Sequence, residues 1–272
     1  MNSQSHLYEG FRFAGALESV AEQRTAQAHI LSNCTCTSVL VVGGGFGEET
    51  DVLMSAINKA GNPPNLTVID LADVSAELRS QPFLRQLGPR LRFSQIDLLD
   101  APDLPGYGGF DLVQCGFVLH DFAPCTKDAA VATLAGSVRP GGHVLISDIC
   151  VRLSAGTEEV DGVYSRFLEE AWSALNEGRL TEGGYSALVG DGIREGLERS
   201  RRDAFLGERD HFEDCHDVVR RALRAGLELV RVNRNSVNER LFVFLFRRPV
   251  SATNGISAAT RSHVVLRGMH VF

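Results

Sequence analysis

The sequence predicts an α/β fold, a doubly wound and mostly parallel sheet of seven strands that finishes in an antiparallel pair. Three observations carry that prediction. Short apolar, β-branched runs alternate with helical periodicity up to about residue 150. The first of these runs, SVLVV (38–42), passes straight into glycines. Near the end, LELVRVNRN (227–235) and RLFVFLFRR (240–248) follow one another across an Asn/Ser turn, as in a hairpin.

Residues 7–33 carry Leu17, Val20, Ala21, Ala28 and Leu31 at helical spacing, so residues 1–37 read as an N-terminal helical cap of one or two helices. SVLVV is apolar throughout, as a strand covered on both faces should be. A helix over 48–60 is stopped by Gly61 and the Pro63-Pro64 pair. NLTVID (65–70) is the second strand, DVSAELRS (73–80) opens a helix, and LRFSQID (91–97) is the third strand. FDLVQCGFVLHDF (110–122) is the fourth strand, and a helix from about Lys127 to Val138 ends at a turn, RPGG (139–142). HVLISDI (143–149) is the fifth.

The alternation then stops. Residues 155–206 keep helical periodicity without a strand, are broken at EGGYS (182–186), and read as a helical lid inserted into a domain spanning 38–249. FEDCHDVVRRALRAG (212–226) reads as a helix with Gly226 as its cap. From Pro249 the composition turns to Ser, Thr, Ala and Gly, and 250–272 reads as a loose tail.

A chain of 272 residues can bury a sizeable core, and a net charge of −7 argues against a nucleic-acid or anionic-membrane surface. No apolar run reaches spanning length, and MNSQSHLYEG has neither the basic nor the apolar region of a secretion signal. These features point to a cytoplasmic protein with a small-molecule partner, and a homodimer is compatible with them. The 6 cysteines form no repeated CxxC and read as reduced thiols. No metal site is expected. In HFEDCH (211–216) a helix would put His211 and Cys215 on one face and His216 elsewhere, so a solvated, capping stretch is the better reading.

Gly43, Gly44, Gly45 and Gly47 lie where a doubly wound sheet binds ligands, beyond the carboxyl end of its first strand. A dinucleotide fingerprint starting at Gly43 needs glycine where Glu48 stands, and a phosphate loop needs an absent G-K-[ST]. Glu48 and Glu49 would also repel a pyrophosphate on the helix N-terminus. The spacing Gly43-x-Gly45-x-Gly47 suits a ligand that is zwitterionic near the turn. Asp70 ends the second strand, where a carboxylate can accept both hydroxyls of a ribose. Asp97 ends the third, where one can accept from an adenine amino group. Either could instead be a plain strand-end cap.

Taken together, VLVVGGGFG, LTVID, RFSQID, FDLVQCGFVLHDF and LAGSVRPGGHVLISD resemble the class I S-adenosylmethionine-dependent methyltransferases over about residues 38–149. That resemblance implies a Rossmann-like methyltransferase fold with S-adenosyl-L-methionine as cofactor. It implies that Gly43, Gly45 and Gly47 line the methionine and ribose portion and that Asp70 holds the ribose hydroxyls. Asp97 and Leu98 would contact adenine, and Gly116, Phe117 and their neighbours to Leu119 would border the sulfonium. One departure stands out: the family usually has an acid two positions before the first glycine, and here that residue is Val41. Its contact to the cofactor ammonium must come from elsewhere, Glu48 or the Gly43 carbonyl. After the fifth strand, GGYS (183–186) and RRALRAGLELV (220–230) resemble the carboxy-S-adenosylmethionine synthase group, which bears on lid architecture alone.

The residues best placed for chemistry are His120 and Asp121, just past the fourth strand, as a base with its partner. The competing reading is that His120 caps the next helix. Tyr8, Tyr164, Trp172 and Tyr185 are the aromatics expected to close over a substrate, against the commoner role of packing helices together. The leading expectation is methyl transfer to a small molecule, in secondary metabolism. The alternatives are another use of the sulfonium, releasing methylthioadenosine or transferring a different group; a nicotinamide-dependent oxidoreductase, disfavoured by Glu48; and a silent subunit.

Overall fold

The computed structural model describes residues 11–32, 34–58, 63–151, 157–206 and 212–250. Among these residues one sheet runs through the molecule. Its strands are β1 (Ser38–Val42), β2 (Asn65–Asp70), β3 (Leu91–Gln95), β4 (Phe110–Gly116), β5 (Val138–Ile149), β6 (Glu228–Arg234) and β7 (Leu241–Arg247). Their spatial order is β3-β2-β1-β4-β5-β7-β6. The first five pair in parallel, and β7 lies antiparallel between β5 and β6. The chain leaves β1 in one direction and resumes at β4 in the other, so the crevice of the sheet opens between the carboxyl ends of those two strands.

Side chains alternate between the two faces of each strand, and that alternation sorts the core. Leu40, Val42, Val113, Cys115, Val144 and Ile146 share one buried cluster with residues of α5 (Pro124–Ser137) and α9 (Cys215–Arg224). Val39, Val41, Leu112 and Leu145 face the other way. They pack with α1 (Glu18–Leu31), α2 (Glu48–Ile57), α3 (Ser75–Ser80) and α4 (Pro82–Leu87). Helix α2 starts on Gly47 in the left-handed region (φ 79°), and Glu48, Glu49 and Asp51 occupy its first turn, where the helix dipole favours acids. Asp51 in turn accepts from the backbone N–H groups of Phe83 and Leu84 and fixes the start of α4.

A third cluster covers the carboxyl end of β5. It joins Ile149 and Val151 to Leu17, Val20 and the apolar side of α6 (Thr157–Asn176), with Leu188, Val189 and Ile193 beyond. Leu17, Leu31 and Val163 are 1%, 0% and 0% exposed. At about 1.5–3 kcal/mol for each fully buried aliphatic side chain, the N-terminal helix and the insertion are integral to the core. Helices α7 (Glu182–Ala187) and α8 (Glu195–Leu206) complete the insertion, joined by a π-helical stretch, Leu188–Arg194.

Three local expectations are corrected. RPGG is not a turn before β5 but part of it: pairing starts at Phe110 with Val138 and shifts before Leu112 meets His143. The bulge is held by an Arg139–Asp111 ion pair and by the Gly141 N–H donating to the Arg248 carbonyl, with Gly141 at φ 80°. Strand β4 ends at Gly116, well short of residue 122, because Phe117 adopts φ 54°, which no strand continues through. EGGYS is not a break but helix α7, whose start is fixed by the Thr181 hydroxyl accepting from the Gly184 N–H.

Candidate functional site

Four strand ends converge on the crevice. At β1, Gly43, Gly45 and Gly47 all have positive φ, at 74°, 49° and 79°. Gly45 has open space where a Cβ would be, so this part of the turn is a cradle that a ligand can approach closely. Gly44 behaves oppositely: a Cβ there would lie 2.5 Å from Cγ1 of Val68, inside the core. Asp70, 5% exposed, clasps the turn, with Oδ2 accepting from Gly45 N–H (3.1 Å) and Oδ1 from Ala72 N–H (3.0 Å). Asp97 caps the short 3-10 helix that follows β3 by accepting from Leu99 N–H at 2.9 Å, and Leu98 is buried in the core. The capping role weighed for Asp97 is thus present in the fold.

At β4, Gly116 pairs with Ser147 of β5, and Phe117 N–H donates to the Ser147 carbonyl at 2.8 Å. A phenylalanine held at φ 54° costs about 1–3 kcal/mol, and such strain concentrates where function needs it. The next residues form a short 3-10 turn, Leu119–Asp121.

His120 finds a partner there, but not the expected one. Its Nδ1 lies 2.6 Å from Oδ1 of Asp148, while Nε2 is 4.0 Å from Oδ1 of Asp121. Asp148 also accepts from the backbone N–H groups of His120 (3.1 Å) and Ile149 (2.8 Å), which locks the carboxylate into one rotamer. An acceptor at Nδ1 selects the tautomer with its proton there, which puts the lone pair of the neutral ring on Nε2. The Phe212 ring, 5.6 Å from the imidazole between centroids, closes one side. Phe212 is brought there because Glu213 bridges Cys150 beside the end of β5.

Beneath the pair is a charged cluster that sequence reasoning missed. Lys127 of α5 is 1% exposed; burial lowers its pKa, and Glu213 and Asp148 oppose that shift. Glu213 accepts from Arg221 Nε at 2.8 Å. Glu49 was also missed. Its Oε1 accepts from Gln27 (3.0 Å) and Gln114 (2.8 Å), and burial raises its pKa. Glu48, the acid expected to matter, pairs instead with Arg24 at 3.1 Å.

The insertion and the N-terminal segment lie over this end of the sheet. Arg12 stacks on Phe46 of the turn at 5.8 Å, and Arg179 donates to the Ala16 carbonyl. Tyr164 is 6% exposed, with its hydroxyl 3.0 Å from that of Ser200, and belongs to the helical core. Trp172 is 57% exposed and stands edge-on to Tyr185 at 6.0 Å. Tyr8 lies outside the described residues, as does His211. Asp214, Cys215 and His216 bring ligand atoms within 4.8 Å of one another, yet Asp214 is the cap of α9, accepting from His216 N–H at 2.8 Å. Burial and Asp214 push the Cys215 thiol up to about 11.

Comparison with known proteins reaches the same architecture. An O-methyltransferase family protein from Burkholderia thailandensis superposes with a TM-score of 0.56 at 16% identity, covering 84% of this chain and 56% of that one. The N-methyltransferase NodS from Bradyrhizobium japonicum, solved with S-adenosyl-L-homocysteine, gives 0.52 at 16% identity, covering 86% and 89%. This chain has the class I S-adenosylmethionine-dependent methyltransferase fold. In sequence, it is 29% identical over 109 residues to the S-adenosyl-L-methionine-dependent methyl transferase PigF of Serratia sp.. That alignment covers 40% of this chain and 30% of PigF. No protein-family model matches the chain. Ligands of a doubly wound sheet sit beyond the carboxyl ends of its strands; the cradle at Gly45 lies past the end of β1, and the His120–Asp148 pair lies past β4 at the end of β5. Among the described residues no helix is long and apolar enough to cross a membrane.

Proposed function

We propose that this protein is an S-adenosylmethionine-dependent methyltransferase acting on a small molecule of secondary metabolism in the cytoplasm. The observation that carries the reading is the His120–Asp148 pair set beside Gly116 and Phe117, one strand over from the glycine cradle. When bound, S-adenosylmethionine supplies an electrophilic methyl group on a sulfonium sulfur. The residues that would hold it are Gly43, Gly45, Gly47 and Asp70 at the turn, Asp97 and Leu98 beyond β3, and Gly116 and Phe117 beyond β4. His120 Nε2 takes the proton of an acceptor O–H or N–H, and Asp148 stabilises the resulting imidazolium through Nδ1. Asp121, 52% exposed at its side chain, adds only a screened attraction at 4.0 Å. Phe212 keeps water from the proton-transfer face. The free thiols, Cys36, Cys115 and Cys150 being buried, support a reducing compartment.

The test is product analysis by mass spectrometry after incubation with S-adenosylmethionine and a panel of phenolic, enolic and amine acceptors. S-adenosylhomocysteine together with an acceptor heavier by one methylene supports the proposal. Methylthioadenosine in its place overturns methyl transfer, and calorimetry showing no binding at high micromolar cofactor overturns the cofactor assignment.

A further inference from the structure

Lys127 is a buried cation that the proposed chemistry leaves unused. It is 1% exposed and lies near the start of α5, where burial and the helix dipole both disfavour a positive charge. Helical spacing puts it on the face of Ala130, Val131 and Leu134, which belong to the core cluster between that helix and the sheet. On β5, Val144, Ile146 and Cys150 belong to the same cluster, so strand alternation turns Asp148 into it as well. Lys127 and Asp148, the latter 3% exposed, thus share one buried layer at the carboxyl ends of the strands.

The charges in that layer can be assigned to one another. Glu213 and Asp148 favour the ammonium of Lys127, Arg221 disfavours it, and Cys150 is a thiol that burial keeps protonated. Glu213 already has a cation, since it accepts from Arg221 Nε at 2.8 Å. The hydrogen bonds to Asp148 come instead from the His120 ring and from the backbone N–H groups of His120 and Ile149. The full positive charge that balances Asp148 is therefore Lys127. This balance reaches the imidazole. A carboxylate 2.6 Å from Nδ1 favours the imidazolium, and unopposed it would hold His120 protonated in the resting enzyme, with no lone pair for an acceptor's proton. A cation in the same buried layer repels the imidazolium and favours the neutral ring. Asp121, at 4.0 Å with its side chain half exposed, is screened, and Phe212 brings no charge.

We infer that Lys127 is a positioning residue for the reaction: its charge keeps His120 neutral, and so able to act as a base, at the pH where the enzyme works. This deepens the proposed function and rests on it. Lys127 acts through Asp148 and His120 and not on the substrate.

The experiment follows the ring itself, by heteronuclear NMR of protein carrying isotope-labelled histidine, in wild type and Lys127→Met. The His120 resonance is assigned by its loss in His120→Gln. Methionine keeps the length and the apolar stem of the side chain and removes the charge. The titration midpoint of His120 should rise by about one pH unit, because a like charge in a buried layer has been taken away. Methyl transfer to an acceptor from the panel should show the same displacement, a loss of up to about tenfold on the acid limb that returns to within about twofold of wild type at about pH 9. An unmoved or lowered midpoint overturns the inference, as does a rate loss equal at every pH, which is what a merely structural lysine would give. The inference and the proposed function fail separately. A raised midpoint in a protein without methyl transfer refutes the proposed chemistry and supports the action of Lys127 on His120; an unmoved midpoint with normal wild-type turnover refutes that action alone. Where thermal melting shows Lys127→Met to be unfolded, Glu213→Gln replaces it. That variant leaves the ammonium less balanced, so the midpoint should fall by about half to one pH unit, and a rise or no change overturns the inference.

Discussion

Replacing Asp148 by asparagine tests the proposed chemistry most directly, because it keeps the shape of the side chain and alters one hydrogen-bond polarity. In the wild type Oδ1 is 2.6 Å from His120 Nδ1, and the two oxygens also accept from His120 N–H and Ile149 N–H. An asparagine has one acceptor oxygen for two sites, since His120 N–H donates to Oδ2 and Ile149 N–H to Oδ1. In the orientation that turns its amide N–H₂ toward the imidazole it keeps the bond from His120 N–H and loses that from Ile149 N–H. The ring then accepts at Nδ1 and carries its proton on Nε2, so the lone pair needed by the acceptor is gone. Removing general-base catalysis costs about 10²–10⁴ in rate, and the developing imidazolium loses its counter-charge as well. We therefore expect kcat to fall by about 10²–10⁴ with cofactor affinity within a few-fold of wild type. Weakening of the charge-assisted bonds in a buried site should cost about 1–3 kcal/mol in stability. The assay is single-turnover methyl transfer under saturating cofactor, with denaturant unfolding alongside. The control is Asp121→Asn, expected to keep the rate within about threefold, since an exposed charge at 4.0 Å contributes little. A larger rate loss in Asp121→Asn than in Asp148→Asn would refute the assignment of Asp148 as the partner of His120.

Further outcomes follow from the same geometry. Asp70→Ala should weaken cofactor binding and also lower stability by about 2–4 kcal/mol, because Gly45 N–H and Ala72 N–H lose a buried acceptor together; thermal melts and calorimetry on one sample separate the two effects, and an unchanged melt would mean the clasp is not formed. Gly44→Ala should destabilise the fold through its clash with Val68, whereas Gly45→Val should reduce cofactor affinity at a strain cost of about 1–2 kcal/mol, its site being open; equal affinity in both variants would make the turn purely structural. Asp111 accepts from Thr37 N–H and Oγ1 (2.7 Å each) and from Ser38 N–H (3.0 Å), with Arg139 alongside. Burial alone would raise its pKa, but these bonds outweigh it and hold the carboxyl below its usual value. Its folded pKa being the lower one, the stability it adds is complete above the unfolded value of about 4 and is lost as pH falls through the folded value. The advantage of wild type over Asp111→Asn in urea unfolding should accordingly be constant near neutrality and shrink below about pH 4; an advantage that grows on acidification would contradict the assignment.

The parts of this protein that were legible in its sequence are those in which cause and consequence are neighbours along the chain. A run such as SVLVV declares a doubly covered strand by itself, and the glycines after it declare a turn that must come close to something. The strand-end acids Asp70 and Asp97 were legible as positions, and both hold backbone N–H groups, the capping role that strand-end aspartates commonly take. Chain adjacency misled where space decides. Asp121 follows His120, but it comes no nearer than 4.0 Å to Nε2 with its side chain half exposed, and the carboxylate that meets Nδ1 comes from 28 residues away on the neighbouring strand.

The signal that could have found the hidden carboxylates is polarity in the wrong place. Gln114 sits in FDLVQCG, where its neighbours are wholly buried, and Gln23 and Gln27 occupy the buried side of α1. Burying an amide without a partner costs several kcal/mol, so a glutamine at such a position implies an unseen polar group facing it. From Gln114 that implication leads across the sheet face to Glu49, and from Glu49 back to Gln27. Periodicity reads Gln27 as a flaw in an amphipathic helix. The physical reading is that the helix carries a polar stripe because a carboxylate, Glu49, faces it, and that inference needs nothing but the cost of an unsatisfied amide.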